Sequence, residues 1–152
     1  MSVKRALYSE LSRLYRVTSL LGTNAKLKSP DLYLESMAPE SATYPRVTMQ
    51  VTQRDRMRHM TGSIGLVDGR VGLTISATTS LGADKVAEVI RLVFENGVYH
   101  QTTLGHGEDI ITVSDIYIDN DFDNTLAPID GSGSAVYQRI QELVIWYRES
   151  LT

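Results

Sequence analysis

The side chains with the most chemical reach in this sequence are its histidines, its clustered aspartates and a run of arginines. His59, His100 and His106 are the three imidazoles. His100 and His106 stand six residues apart in a segment that reads as a loop, a spacing that does not set two ligands side by side on a helix or strand. Asp119-Asn120-Asp121-Phe122-Asp123 matches the opening of a calcium-binding loop, and Asp130 falls at its twelfth position. The sixth position is Asn124 where the sharp turn wants glycine, Pro128 intrudes, and the flanks read as strands where helices are needed. An acidic, solvated turn is the better reading of 119–130, with cation binding there left open. Gly131-Ser132-Gly133-Ser134 has the small residues of a phosphate cradle, yet it leads into a β-patterned segment among carboxylates, which would repel the anion. No strand-turn-helix nucleophile elbow occurs, and carboxylate pairs in so acidic a region identify no general acid and base. The chemistry on offer does not assemble into an enzyme, and no metal or cofactor is expected.

Arg54, Arg56 and Arg58, with His59 next, form the other cluster. In an extended chain alternate residues share a face, so the three guanidinium groups would project together. They could grip phosphate, but no aromatic platform interleaves with them and the chain as a whole carries a formal charge of −3. Carboxylates of a neighbouring protein suit them better, because arginine pairs with these in bidentate fashion. A solvated hairpin tip is the plain alternative.

Charge is segregated along the chain. Through Arg91 there are 13 Lys/Arg and 8 Asp/Glu; from Leu92 onward there are 2 and 10. Such a chain can bind anions, or bind another copy of itself head to tail. The absence of cysteine excludes a disulfide framework and thiolate chemistry. No apolar run is long enough for a membrane-spanning helix, and 42% apolar content over 152 residues supports one domain with an ordinary core. A soluble protein made and used inside a cell is expected.

These residues must be positioned by a modest set of elements. Ser2 can cap a first helix with apolar positions Val3, Leu7, Leu11, Leu14 and Tyr15, and Gly22 marks its stop. Leu32 to Leu34 suits a short strand, and 37–46, with Pro39 and Pro45, suits irregular or extended chain. Period-two alternation predicts strands over Val47–Val51 and Val71–Ile75. Asp68-Gly69 has the residues of a two-residue turn joining Ser63–Val67 to Arg70–Ala77, with Gln53–Thr61 leaving the core as an arm or long hairpin tip. A second helix is expected from Ser80 to Glu95, with Val86, Val89, Ile90 and Val93 inward and Asp84 near its N-terminal end. Strands follow at Asp109–Ile118, with a phase change between Val113 and Ile116 that suggests a bulge, and at Val136–Arg148; Asp119–Ser134 is read as a loop. The sum is an α+β fold: an antiparallel or mixed β-sheet packed against two helices, with a long β-hairpin or arm, in one domain over 1–152 whose basic arm lies around 53–70.

Two stretches carry a resemblance to a known family. One is Met37-Ala38-Pro39 followed by Tyr44-Pro45-Arg46-Val47-Thr48-Met49-Gln50-Val51; the other runs from Gly133 to Tyr147 and includes Tyr137, Arg139, Trp146 and Tyr147. An alanine-proline followed by a tyrosine-proline leading into a strand, and a closing strand of this Tyr-x-Arg and Trp-Tyr type, resemble the tail-completion (tail-terminator) proteins of long-tailed bacteriophages. The order of elements agrees along nearly the whole chain. The resemblance implies a virion protein without enzymatic activity that forms a ring, usually of six copies, at the head-proximal end of the tail tube. The ring stops tube polymerisation and offers the head connector a docking surface. Its partners would be further copies of itself, the tail-tube protein and the connector, with DNA passing through the bore without specific binding and no membrane involved. It would assemble in the host cytoplasm and remain in the virion. In this reading Arg54, Arg56, Arg58 and His59 are interface residues, while Pro39, Tyr44, Pro45, Tyr137, Arg139, Trp146 and Tyr147 are structural. Another neck or head-closure ring component, or a small ligand- or nucleic-acid-binding α+β domain, is the alternative.

Overall fold

A computed structural model describes residues 3–34, 43–59, 62–95, 99–126 and 136–148. The order is α1 (Val3–Arg13), α2 (Tyr15–Thr18), β1 (Thr23–Asn24), β2 (Ser29–Pro30), β3 (Leu32–Tyr33), β4 (Arg46–His59), β5 (Gly62–Ala77), α3 (Ser80–Glu95), β6 (Thr102–His106), β7 (Asp109–Leu126) and β8 (Val136–Arg148). The six-stranded sheet runs β3-β4-β5-β8-β7-β6; β3 joins β4 in parallel and every other pairing is antiparallel. The fold is thus the expected α+β class, with a mixed sheet and a long β4–β5 hairpin.

Alternation places Val47, Met49, Val71, Leu73, Ile75, Leu143 and Ile145 on the side of the sheet that the helices cover, all buried. Helix α1 lays Val3, Ala6, Leu7 and Leu11 on that side. It stops at Arg13, short of the expected apolar row: Tyr15 opens the short α2 and is 81% exposed, and Val17 is the residue of α2 that enters the core. Ser2 and its cap lie outside the described residues. Helix α3 matches its expected span and buries Ala83, Val86, Ala87, Ile90, Val93 and Phe94. Its N-terminus is capped by Thr79, whose Oγ1 accepts from the amide of Gly82 at 3.0 Å. Each of the large core side chains contributes on the order of 2 kcal/mol through removal from water.

Two sequence expectations are corrected. Asp68-Gly69 is not a turn, because β5 runs straight through it and pairs with β4 and β8 along its length. Glycine stands at 69 for a different reason: a Cβ there would lie 2.9 Å from the ring of Tyr147 on the neighbouring strand. Nor is Asp119–Ser134 a loop throughout, since β7 continues to Leu126 against β8. The expected irregularity is present as a register shift between Val113 and Asp115, and a second shift follows between Ile118 and Asn120.

Gly22 follows α2 and is required by crowding. A Cβ there would meet Thr43 Oγ1 at 2.3 Å, Asp31 Oδ2 at 2.6 Å and the carbonyl of Tyr44 at 2.8 Å. This is the floor of a polar cluster in which buried Asp31 accepts from the Tyr33 hydroxyl, the Thr43 hydroxyl and the Thr43 amide. The cluster ties β3 to the start of β4, where the Tyr44–Pro45 peptide is cis and the Arg46 guanidinium lies 4.4 Å from the centre of the Tyr44 ring.

Candidate assembly surfaces

The basic cluster is split by the fold. Arg54 and Arg56 are exposed on β4 and belong to the six-stranded sheet: they pair with Gly69 and Val67 of β5, which pair in turn with Ile145 and Tyr147 of β8. Arg58 and His59 pair with Ser63 and Gly62, in the part of the hairpin that extends past the β5–β8 pairing. A register shift separates Arg56 from Arg58, and its surplus residues lie on β5, where Gly65 stands at φ +82°. The part of the hairpin beyond the β5–β8 pairing therefore begins later than Gln53, with Arg54 and Arg56 on the sheet and Arg58 and His59 past it.

The acidic counterpart is β7. Because it is a strand, its carboxylates go to opposite sides and do not converge as a calcium loop needs. Asp119 turns to the face away from the helices. There Nη1 of Arg70 reaches it at 2.7 Å and Glu142 at 3.0 Å, and hydrogen bonds to Glu142 and then Asp119 hold the guanidinium far above its usual pKa. Asp121 turns to the helix side. Nε and Nη2 of Arg139 donate to its two oxygens at 2.6 and 2.9 Å, while Nη1 reaches Asp84 of α3 at 2.9 Å. The Arg139 side chain is 19% exposed. Its hydrogen bonds hold the Asp121 carboxyl below the usual carboxylate range, against partial desolvation. Gln141 completes the junction by donating from Nε2 to the carbonyl of Ala87 at 3.0 Å. Asp84, expected to serve the helix dipole, instead ties α3 to β8 and β7 through Arg139.

The remaining residues singled out from sequence are scattered among structural positions. Tyr147 is buried in the core, Trp146 and Tyr137 are partly covered on β8, and Pro39 lies outside the described residues. His100 is exposed, 4.0 Å from Asp115, and His106 is exposed at the end of β6; among the described residues no three potential ligands gather around a metal position. The 131–134 segment lies outside the described residues.

Sequence reasoning missed the contact that docks α1. Glu10 accepts from the Tyr99 hydroxyl at 2.7 Å and from the amide of Gly105 at 3.2 Å. Burial and then this bond push the Tyr99 phenol well above its ordinary pKa. Gly105 sits at φ +99°, and a Cβ there would meet the carbonyl of Asp109 at 1.8 Å. The Gly-x-Gly at 105–107 was the available signal for so tight a turn. Also missed was the exposed apolar character of the face away from the helices. Tyr117 and Phe122 are exposed there, while Val144, between Arg70 and Tyr117 in the ladder, is fully buried although it stands apart from the main core.

No protein-family model matches the chain, and no curated protein does either. Ten chains of solved structures match. One of them belongs to the structure described as the virion of native gene transfer agent (GTA) particle, at 11% identity and a TM-score of 0.55, covering 96% of this chain and 95% of that one. At that identity the likeness establishes a common fold extending over essentially the whole of both chains.

Proposed function

We propose that this protein is a structural virion component of the phage type, and more specifically a tail terminator. It would close a ring on the head-proximal end of the tail tube, stop further tube growth and present a surface to the head connector. The observation that carries the reading is the end-to-end sharing of fold with a chain of a virion particle. It joins the tyrosine-proline and Tyr-x-Arg/Trp-Tyr resemblance, and the arginines and aspartates that bind strands and helices together without converging on a reaction centre. Function in such a protein is surface complementarity. A ring needs a heterologous interface, with one patch meeting a different patch on the next copy. The opposite charges of the two halves of the chain suit that arrangement.

The test is negative-stain imaging and light scattering of the purified chain, alone and with tail tubes. Six copies of the 16.9 kDa chain would form a ring of about 100 kDa. A ring of that size, or density capping one end of each tube, is expected. A chain that ignores tubes and binds DNA in a salt-dependent manner would replace this reading with a nucleic-acid-binding one. Changing Arg54, Arg56 and Arg58 together to glutamate should weaken assembly and reduce its salt sensitivity; unchanged assembly would remove the arginines from the interface.

A further inference from the structure

We infer that the contact between neighbouring copies is a strand-to-strand junction, in which the open edge of β4 of one copy pairs antiparallel with the open edge of β7 of the next. This rests on the ring reading above and specifies its interface. At one side of the sheet β3 covers only Val47 and Thr48 of β4. Among the described residues no strand pairs with that edge from Met49 to Asp55. At the other side β6 covers β7 from Asp109 to Val113, and Gln101 donates to the carbonyl of Ser114. No described strand covers β7 from Asp115 to Leu126. A sheet edge of that length is a row of backbone donors and acceptors able to template another strand.

Natural proteins commonly place charges and bulges on edges to prevent such pairing, and both edges here have them. What singles out this pair is the segregation of sign. The β4 stretch carries Arg54 and Arg56 around a single Asp55, whereas the β7 stretch carries Asp115, Asp119, Asp121 and Asp123 with no lysine or arginine, an acidic excess that Arg70 and Arg139 of the neighbouring strands offset only in part. Two β4 edges repel, two β7 edges repel, and a β4 edge attracts a β7 edge. This is specificity against self-pairing, and it enforces the head-to-tail order that a closed ring requires.

Strand direction agrees. The ladder from β4 through β5 and β8 to β7 is antiparallel at every step, so β7 runs opposite to β4. A rotation about an axis along the strands preserves those directions, and β4 of the next copy then meets β7 antiparallel. Pleating puts Arg54 and Arg56 on the helix side, the side of Asp121 and of Asp123, whose side chain is 79% exposed. Arg54 lies level with Ile116 and Met49 with Asp121, so an offset of about five residues aligns Arg54 with Asp121, in the sense of the stagger by which tilted strands close. Both open stretches can take that offset, which sets Gln53 opposite Phe122 on the other face.

The chain has no cysteine, so engineered thiols report contacts without background. Full-length Gln53→Cys is mixed in turn with Tyr117→Cys, Phe122→Cys and Asn124→Cys, positions that alternate onto the same face, and oxidised with and without tail tubes. The expected result is a disulfide-linked heterodimer strongest with Phe122→Cys and falling away on either side. The Gln53→Cys/Phe122→Cys double variant should form a ladder of multimers, with little Gln53–Gln53 product. Assemblies seen by light scattering that give no 53-to-β7 linkage, or that link Gln53 to Gln53, would overturn the edge junction and leave the ring reading standing. A chain that stays monomeric and ignores tubes would overturn both.

Discussion

Arg139→Met tests the junction at which β7, β8 and α3 are held together. The side chain lies at the meeting of three elements: it donates twice to Asp121 of β7 and once to Asp84 of α3 from its place on β8. Methionine keeps much of the aliphatic stem and removes the fork. The pair with Asp84, whose side chain is 43% exposed, is worth less than about 1 kcal/mol, because water takes over the lost partner. The bidentate pair with Asp121 is better enclosed, with side chains 19% and 20% exposed, and its charge-assisted bonds add about 2 kcal/mol. After the change Asp121 keeps, among the described residues, a long bond from Gln141 at 3.4 Å. The expected loss is about 2–3 kcal/mol, read as a lowered urea midpoint at constant slope. Two chain concentrations separate this from any effect of self-association. In an Asp121→Asn background the same change should cost less than about 1 kcal/mol, giving a coupling of roughly 1.5–2 kcal/mol. A loss below about 0.5 kcal/mol, or an equal loss in both backgrounds, would refute the view that the bidentate pair with Asp121 carries most of this junction.

Other expectations follow from the same geometry. Gly105→Ala should cost more than about 3 kcal/mol, since positive φ and collision with the Asp109 carbonyl act together, whereas Gly107→Ala, with open space at φ +65°, should cost only about 1 kcal/mol; urea midpoints compare them. Asp121 has a folded pKa below its unfolded one, so its contribution is intact above the ordinary aspartate range near 3.9 and is lost as pH falls through the lower folded value. The stability gap between the parent chain and Asp121→Asn should accordingly hold from neutral pH down to that range and close only beneath it. Tyr99 has a raised pKa, so its contribution is full below the ordinary tyrosine range near 10 and fades as pH climbs toward the folded value. In an ultraviolet titration Tyr99→Phe should remove a late-titrating phenol, and it should lower neutral-pH stability by about 1 kcal/mol.

Where one face of an element is buried, the sequence displayed it. The span of α3 and the limits of β8 follow from apolar residues at period 3.6 and period 2, and the bulge in β7 showed as a slip of phase at Val113–Ile116. Where two partners decide the outcome, local signals misled. Asp68-Gly69 has turn chemistry, but β8 pairs alongside and Tyr147 needs the space over Gly69, so tertiary packing overrides the dipeptide. Asp119–Asn124 has the polarity of a loop. It is strand because Arg70 and Arg139 neutralise its aspartates from opposite faces, and both arginines are remote from it in sequence order.

The same distinction explains why the candidate surfaces were only half legible. Arginine types at 54, 56 and 58 were visible, but their division between the sheet and the projecting part of the hairpin depends on how far β8 pairs with β5, a partner remote in sequence. The acidic half was visible as composition, not as an edge. An edge is a property of what fails to pair, and no run of side chains announces it. Strand order and the shortness of β3 and β6 therefore turn a diffuse charge asymmetry into two opposed open stretches of one sheet, the basic one along β4 and the acidic one along β7. The proposed ring needs no more chemistry than that: backbone groups left open, and charges that decide which stretch is accepted.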